Sequence, residues 1–219
     1  MATFDFSTAP MSSVAQFAIG WLSATFAEIQ VIALASQNDL DHAAAPNRRS
    51  LFEIVLRLQW LHATADRRQA IDAMIEAEKK QAQSHLGHLA EMGLQDLPNF
   101  ADLEAVITDV SEPKVRQQAR SITDLAKATP SAVGLFRGWR EETQNTHATG
   151  NLAISYAPVG EKGFEHGKPF VADPELESLL LLSLGTVAFV ARILLDEGAP
   201  KELTDKLFDV YFSGINDGL

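Results

Sequence analysis

Apolar residues recur along most of this chain every three or four positions, and the breaks between runs carry capping residues, glycine and proline. That period belongs to helices, not strands. Ser12 or Ser13 caps a first predicted helix that reaches about Asn38, with Phe17, Trp21, Phe26, Ile29 and Ile32 on its apolar face. Pro46-Asn47 opens a second helix that ends near His62. Asp66 caps a third, exposed helix that reaches Met92 and is stopped by Gly93, with the polar run Glu76 to Ser84 as its solvated face. Asn99 and Ser111 cap two more helices, with Glu112-Pro113 in the first turn of the second, and Thr129-Pro130 begins a sixth.

After His147 the pattern changes. Gly150, Pro158, Gly160, Gly163, Gly167, Pro169 and Pro174 punctuate the chain, and the alternation Leu152-Ala153-Ile154-Ser155-Tyr156 predicts a short extended arm or hairpin. Asp173-Pro174-Glu175 restarts a helix, and a last one runs from about Pro200 to Phe212. These elements predict one all-α domain over residues 1–219, a bundle of about seven or eight helices with a hairpin or loop insertion around 150–173. Leu51, Phe52, Val55, Leu58 and the run Leu179 to Leu184 are its expected core.

Composition narrows the functional classes. A net charge of -11 argues against a general grip on nucleic acid or on an anionic membrane. Arg48, Arg49, Arg67, Arg68, Lys79 and Lys80 lie close enough in sequence to leave room for a small basic pocket. The absence of cysteine excludes disulfides and thiolate catalysis and makes a reducing cytoplasm the natural setting. No basic segment followed by an apolar one marks a secretory signal, and Leu179 to Ala191 is too short to span a bilayer, so no membrane partner is expected. His85 and His88 stand one turn apart, but no repeated Glu-x-x-His accompanies them, so neither a metal nor any other cofactor is expected.

Within the second helix Arg49, Glu53 and Arg57 recur at i, i+4 and i+8, one charged stripe on an otherwise apolar helix. Buried charges cost several kcal/mol unless paired, so Glu53 is expected to pair with Arg49 or Arg57, with His147 joining the network. Glu53→Ala is then expected to cost about 3–5 kcal/mol. The stripe reads either as a binding pocket or as a triad that only orients helices. Arg57 and His62 diverge by about 140° around the axis, so His62 reads as a capping or surface residue.

A second constellation lies in Arg140-Glu141-Glu142-Thr143-Gln144-Asn145-Thr146-His147. Seven helical steps bring Arg140 and His147 to within about 20° of one direction, about 10 Å apart along the axis. Histidine suits a general base and arginine suits holding charge on a phosphate, with Thr143 and Asn145 as further donors. The alternative is a polar helix end with His147 bonded to the following loop.

Arg49-Ser50-Leu51-Phe52-Glu53, followed by an apolar helix ending Trp60-Leu61, resembles a widespread group of uncharacterised bacterial helical proteins. These carry an early Arg-(Ser/Pro)-Leu-(Phe/Leu)-Glu signature and a late polar segment with one histidine, matched here by Thr143 to His147. The resemblance covers roughly Trp21 to Asp196 and brings no established activity. More distantly, Arg140-x6-His147 is similar to the Arg-x4-6-His motif of HEPN-type ribonucleases, although Glu141 stands where that family usually has a small polar residue. This second resemblance implies a metal-independent endoribonuclease of a toxin or phage-defence system, acting as a homodimer with Arg140 and His147 as catalytic residues. The other expectation is a non-catalytic module that binds a small ligand, a nucleotide or RNA, or a cognate protein through Arg49, Glu53 and Arg57, aided by Thr143 and Asn145.

Overall fold

The computed structural model describes residues 4–94, 101–168 and 176–216. Ser12 caps α1 (Ser13–Ser36), its hydroxyl accepting from the Ala15 amide at 3.1 Å. A 3-10 turn at Asp41–Ala44 leads directly into α2 (Ala45–Ala63), with Pro46 in its first turn. The Asp66 carboxylate accepts from the Gln69 amide to start α3 (Arg67–Glu91), and Gly93, at φ 76°, closes it. Then come α4 (Ala101–Ala105), α5 (Pro113–Arg120), α6 (Ile122–Ala128), α7 (Val133–Thr146) and α8 (Gly150–Tyr156). A two-residue hairpin pairs β1 (Val159–Gly160) with β2 (Gly163–Phe164), and α9 (Leu176–Asp196) and α10 (Lys201–Asn216) complete the chain. The all-α bundle expected from periodicity is what forms. The expected caps at Asn99 and Asp173 lie outside the described residues.

Several boundaries differ, each for a local reason. The segment 152–156 is helical, because the Thr149 hydroxyl accepts from the Leu152 amide and caps α8; the hairpin sits further on. Ser111 does not cap α5; its amide and hydroxyl both donate to Gln69 Oε1. Ser121 splits what reads as one helix, ending α5 in an extended conformation and capping α6 through the Asp124 amide. Thr129 ends α6, its hydroxyl donating to the Leu125 carbonyl, and Ser131 at φ 58° makes the turn before α7.

The second helix lies at the centre of the bundle. α2 packs against α7, α1, α9 and α6, and Leu51, Leu56, Leu58, Trp60 and Leu61 are fully enclosed. Leu51 and Val55 share a smaller cluster with Ile32 and Leu182, whereas Trp60 and Leu61 join the main core of α1, α3 and α9. Phe52 and Leu179 are half-buried against the smaller cluster, Leu180 and Leu181 are exposed, and full burial in the expected core run on α9 starts at Leu182. At 21 residues α9 exceeds the apolar run seen in sequence, and both α1 and α9 are long and apolar enough, by length and composition, to cross a bilayer. In α9 that apolarity goes into the bundle, where Val187, Val190, Ile193 and Leu194 are buried.

Candidate functional site

The structure builds a polar seam where α2 meets α7. On α2, Glu53 stands between its two arginines: Arg57 Nε and Nη2 donate to Glu53 Oε1 at 3.1 and 2.8 Å, and Arg49 Nη2 lies 3.6 Å from Oε2. From α7, Trp139 Nε1 donates to Glu53 Oε2 at 3.1 Å. The guanidinium of Arg49 lies 5.2 Å from the centre of the Trp139 ring, and its Nε donates to Thr143 Oγ1 at 3.2 Å. Such a stacked cation is worth about 0.5–1 kcal/mol where water still reaches it. Water does reach it here, since the side chains of Arg49, Glu53 and Arg57 are 29%, 23% and 22% exposed.

Two helices can come this close because of Gly138. A Cβ there would lie 2.5 Å from Phe52 Cε1 and Cζ, so glycine leaves the room that the end of the Phe52 ring takes against α7. Phe136 stacks on Trp139 from one turn earlier, at 5.8 Å between ring centres. Trp139 is thus held by an aromatic neighbour, a carboxylate and a guanidinium together.

Further along the seam a buried ion pair ties the helices down. Arg48, 3% exposed, donates from Nε to Glu142 Oε1 at 2.7 Å and from Nη1 to the Asp41 carbonyl at 2.5 Å. It joins the 3-10 turn, α2 and α7 in one contact. Neither this pair nor the place of Trp139 was among the sequence expectations. The available signal was the position of Arg48, 100° around the axis from Arg49 and therefore turned toward the core.

Of the residues expected to act, the structure brings Arg49, Glu53, Arg57 and Thr143 into one network. Asn145 is half-buried on the same helix without a hydrogen bond among the described residues. Arg140 is exposed and makes no ion pair or hydrogen bond among the described residues. His147 is exposed too, and it does not join the Glu53 network. It ends α7 with φ −109° and ψ 154°, so its ring is not held to the helical direction.

The grouping of basic residues expected from sequence does not form a pocket. Arg67 reaches Asp196 at 2.7 Å, Arg68 reaches Asp72 at 3.3 Å, Lys80 pairs with Glu76, and Lys79 meets the Val106 carbonyl. Arg67 also donates to the carbonyls of Leu61 and His62, and so caps the end of α2. His62 makes no capping hydrogen bond among the described residues; it is half-buried, with its ring 5.7 Å from that of Phe189. Among the described residues no group of histidines and carboxylates is arranged to hold a metal.

Electrostatics around Arg57 extend the network to α3. Partial desolvation raises the Glu78 carboxyl on α3 above its ordinary value, and the charge of Arg57 offsets only part of that. Two clefts lie elsewhere. One of about 510 Å³ is lined by Trp60, Thr64, Glu112, Lys114, Gln118 and Lys127. The other, about 490 Å³, lies between Ser12, Asp66, Arg68 and Glu197. The second is lined by Arg67 and Arg68 of the basic grouping, but neither includes Arg49, Glu53, Arg57, Arg140, Thr143, Asn145 or His147. Compared with family models, curated proteins and solved structures, the chain matches none.

Proposed function

We propose that this chain is a helical binding module that takes an anionic group at the α2–α7 seam: the phosphate of a nucleotide, or a carboxylate of a small ligand or protein partner. The observation that carries this reading is the state of Arg49. Only its Nε makes a hydrogen bond among the described residues, its ion pair to Glu53 is long, and stacking on Trp139 holds the guanidinium in place. A fixed, partly exposed fork of donors is what recognition of phosphate or carboxylate requires. Arg57 and Glu53 neutralise each other, so the seam keeps a local positive charge in a chain of net charge -11. A cytoplasmic setting, where nucleotides abound, suits a chain without cysteine.

Calorimetric titration with nucleoside monophosphates and inorganic phosphate tests this. Binding by the wild type that falls at least tenfold in Arg49→Gln supports it; equal binding by both proteins would remove Arg49 from the site.

A second reading, a metal-independent ribonuclease, draws on Arg140 and His147. Arg140 is exposed on α7 and His147 just past its end, and neither side chain makes an ion pair or hydrogen bond among the described residues. Their separation of about 10 Å along the axis calls for a second copy to complete the site. RNA cleavage in excess chelator that is lost in His147→Ala would favour this reading over the first. No cleavage, or equal cleavage by both proteins, would end it.

A further inference from the structure

The two helices of the seam carry five arginines, Arg48, Arg49, Arg57, Arg137 and Arg140, against three carboxylates, Glu53, Glu141 and Glu142. Each carboxylate has a close partner. Glu53 holds Arg57 at 2.8 Å, Glu141 holds Arg137 at 2.7 Å, and Glu142 holds Arg48 at 2.7 Å. Two guanidinium groups are left over: Arg49, with one long contact to Glu53, and Arg140, with no partner among the described residues. The acids that adjoining elements bring lie elsewhere on the seam. Asp41 sits beside Arg48, and Glu78 of α3 feels the charge of Arg57, about two turns along α2 from Arg49.

The sequence of α7 explains why Arg140 stays free. Arg137 has Glu141 four residues on, whereas Arg140 has Gln144 there. Its other neighbours at three and four residues are Phe136, Arg137 and Thr143, so a like charge lies within reach and a carboxylate does not. Glu141 follows Arg140 directly, but it is turned about 100° around the axis and taken by Arg137. Both free arginines flank Thr143. Its hydroxyl accepts from Arg49 Nε at 3.2 Å and donates to the Trp139 carbonyl at 2.6 Å, so it serves to hold Arg49. Arg140 precedes Thr143 by three residues, a spacing that sets Cβ atoms about 5–6 Å apart. Its side chain leans toward the N-terminus of α7, the level of the Trp139 ring on which Arg49 stacks.

We propose that the anion taken at the seam carries two adjacent phosphate groups, as pyrophosphate or an organic diphosphate does, with Arg49 on one and Arg140 on the other. This rests on the binding reading of Arg49 and adds a second cation to it. A single phosphate is met by one fork of donors and leaves Arg140 beside like charges. Two phosphates that share an oxygen place their charges side by side, as the guanidinium groups flanking Thr143 are placed. Phosphates suit two partly hydrated cations better than carboxylates, because a terminal phosphate carries more than one negative charge at neutral pH. The surplus of positive charge on these two helices, in a chain of net charge -11, draws such a ligand to this face.

Titration calorimetry at fixed ionic strength, with inorganic phosphate, pyrophosphate and malonate as probes, tests this. Pyrophosphate should bind the wild type about tenfold tighter than phosphate, the size of one added charge-assisted contact. Arg140→Gln should remove that preference and leave phosphate binding unchanged, whereas Arg49→Gln should weaken both. Arg137→Gln, which removes the same charge from an exposed ion pair one turn away, should alter neither. Arg137 and Arg140 are exposed, so both variants should melt with the wild type. Phosphate and pyrophosphate bound equally, and both lost in Arg49→Gln, would overturn the two-phosphate site and leave the Arg49 site standing. An equal effect of Arg137→Gln would also overturn it, by reducing Arg140 to a general field. Malonate bound as tightly as pyrophosphate would assign the pair to dicarboxylates instead. No binding of any probe by the wild type would overturn this site together with the reading it rests on.

Discussion

Removing the carboxylate of Glu142 leaves the Arg48 guanidinium with one strong partner, the Asp41 carbonyl, in a place where Arg48 is 3% exposed. Orphaning a buried charge costs about 3–5 kcal/mol. The lower end applies here, because the Glu142 side chain is 15% exposed and the carbonyl contact survives, giving about 3 kcal/mol for Glu142→Ala. In a chain of this size that corresponds to a fall of about 6–12 °C in Tm. Glu53→Ala also removes the shared partner of two arginines, but both stay hydrated, so about 1 kcal/mol and about 2–4 °C is expected. The large penalty expected from sequence for Glu53 thus moves one turn along the seam, to Glu142. Differential scanning calorimetry on both variants measures the two shifts, and Arg48→Met combined with Glu142→Leu should recover much of the loss. If Glu142→Ala melts within 2 °C of the wild type, or Glu53→Ala loses as much, the reasoning from burial fails.

The hydrogen bond from Lys80, followed by the one from Arg116, holds the Glu76 carboxyl below its ordinary value, so Glu76 stabilises the fold above about pH 4.3 and this contribution disappears as pH falls through the lowered folded value. Between about pH 4.5 and 3, Glu76→Gln should therefore show a shallower fall in Tm than the wild type in scanning fluorimetry; parallel curves would contradict this. Gly138→Leu drives a side chain into the Phe52 ring and should cost about 1–3 kcal/mol in urea unfolding. Gly134→Ala, where a Cβ meets nothing within 4 Å, should instead stabilise by about 0.4–1 kcal/mol.

Much of the fold is legible in the sequence because local rules and the global structure agree. The caps at Ser12 and Asp66, the stop at Gly93 and Pro46 in the first turn of α2 each depend on contacts within a few residues. The segment 152–156 misleads, because five residues alternating in polarity satisfy a strand pattern while the decisive hydroxyl, on Thr149, lies outside that window. The site divides in the same way. Pairing of Glu53 with Arg49 and Arg57 follows from spacing along one helix. Trp139 and the Arg48–Glu142 pair come together across 86 and 94 residues of chain, and which face of α7 meets α2 is set by the Phe52–Gly138 contact. No periodicity in either helix alone carries that information.

Native mass spectrometry of the chain, purified from cell extract with no ligand added, tests the binding reading most directly. The wild type should carry a nucleotide or other anionic small molecule that is absent from Arg49→Gln, with both proteins equally folded by circular dichroism. A wild type that carries nothing and titrates with no phosphate or nucleotide, or an Arg49→Gln variant that keeps the same ligand, would contradict the account.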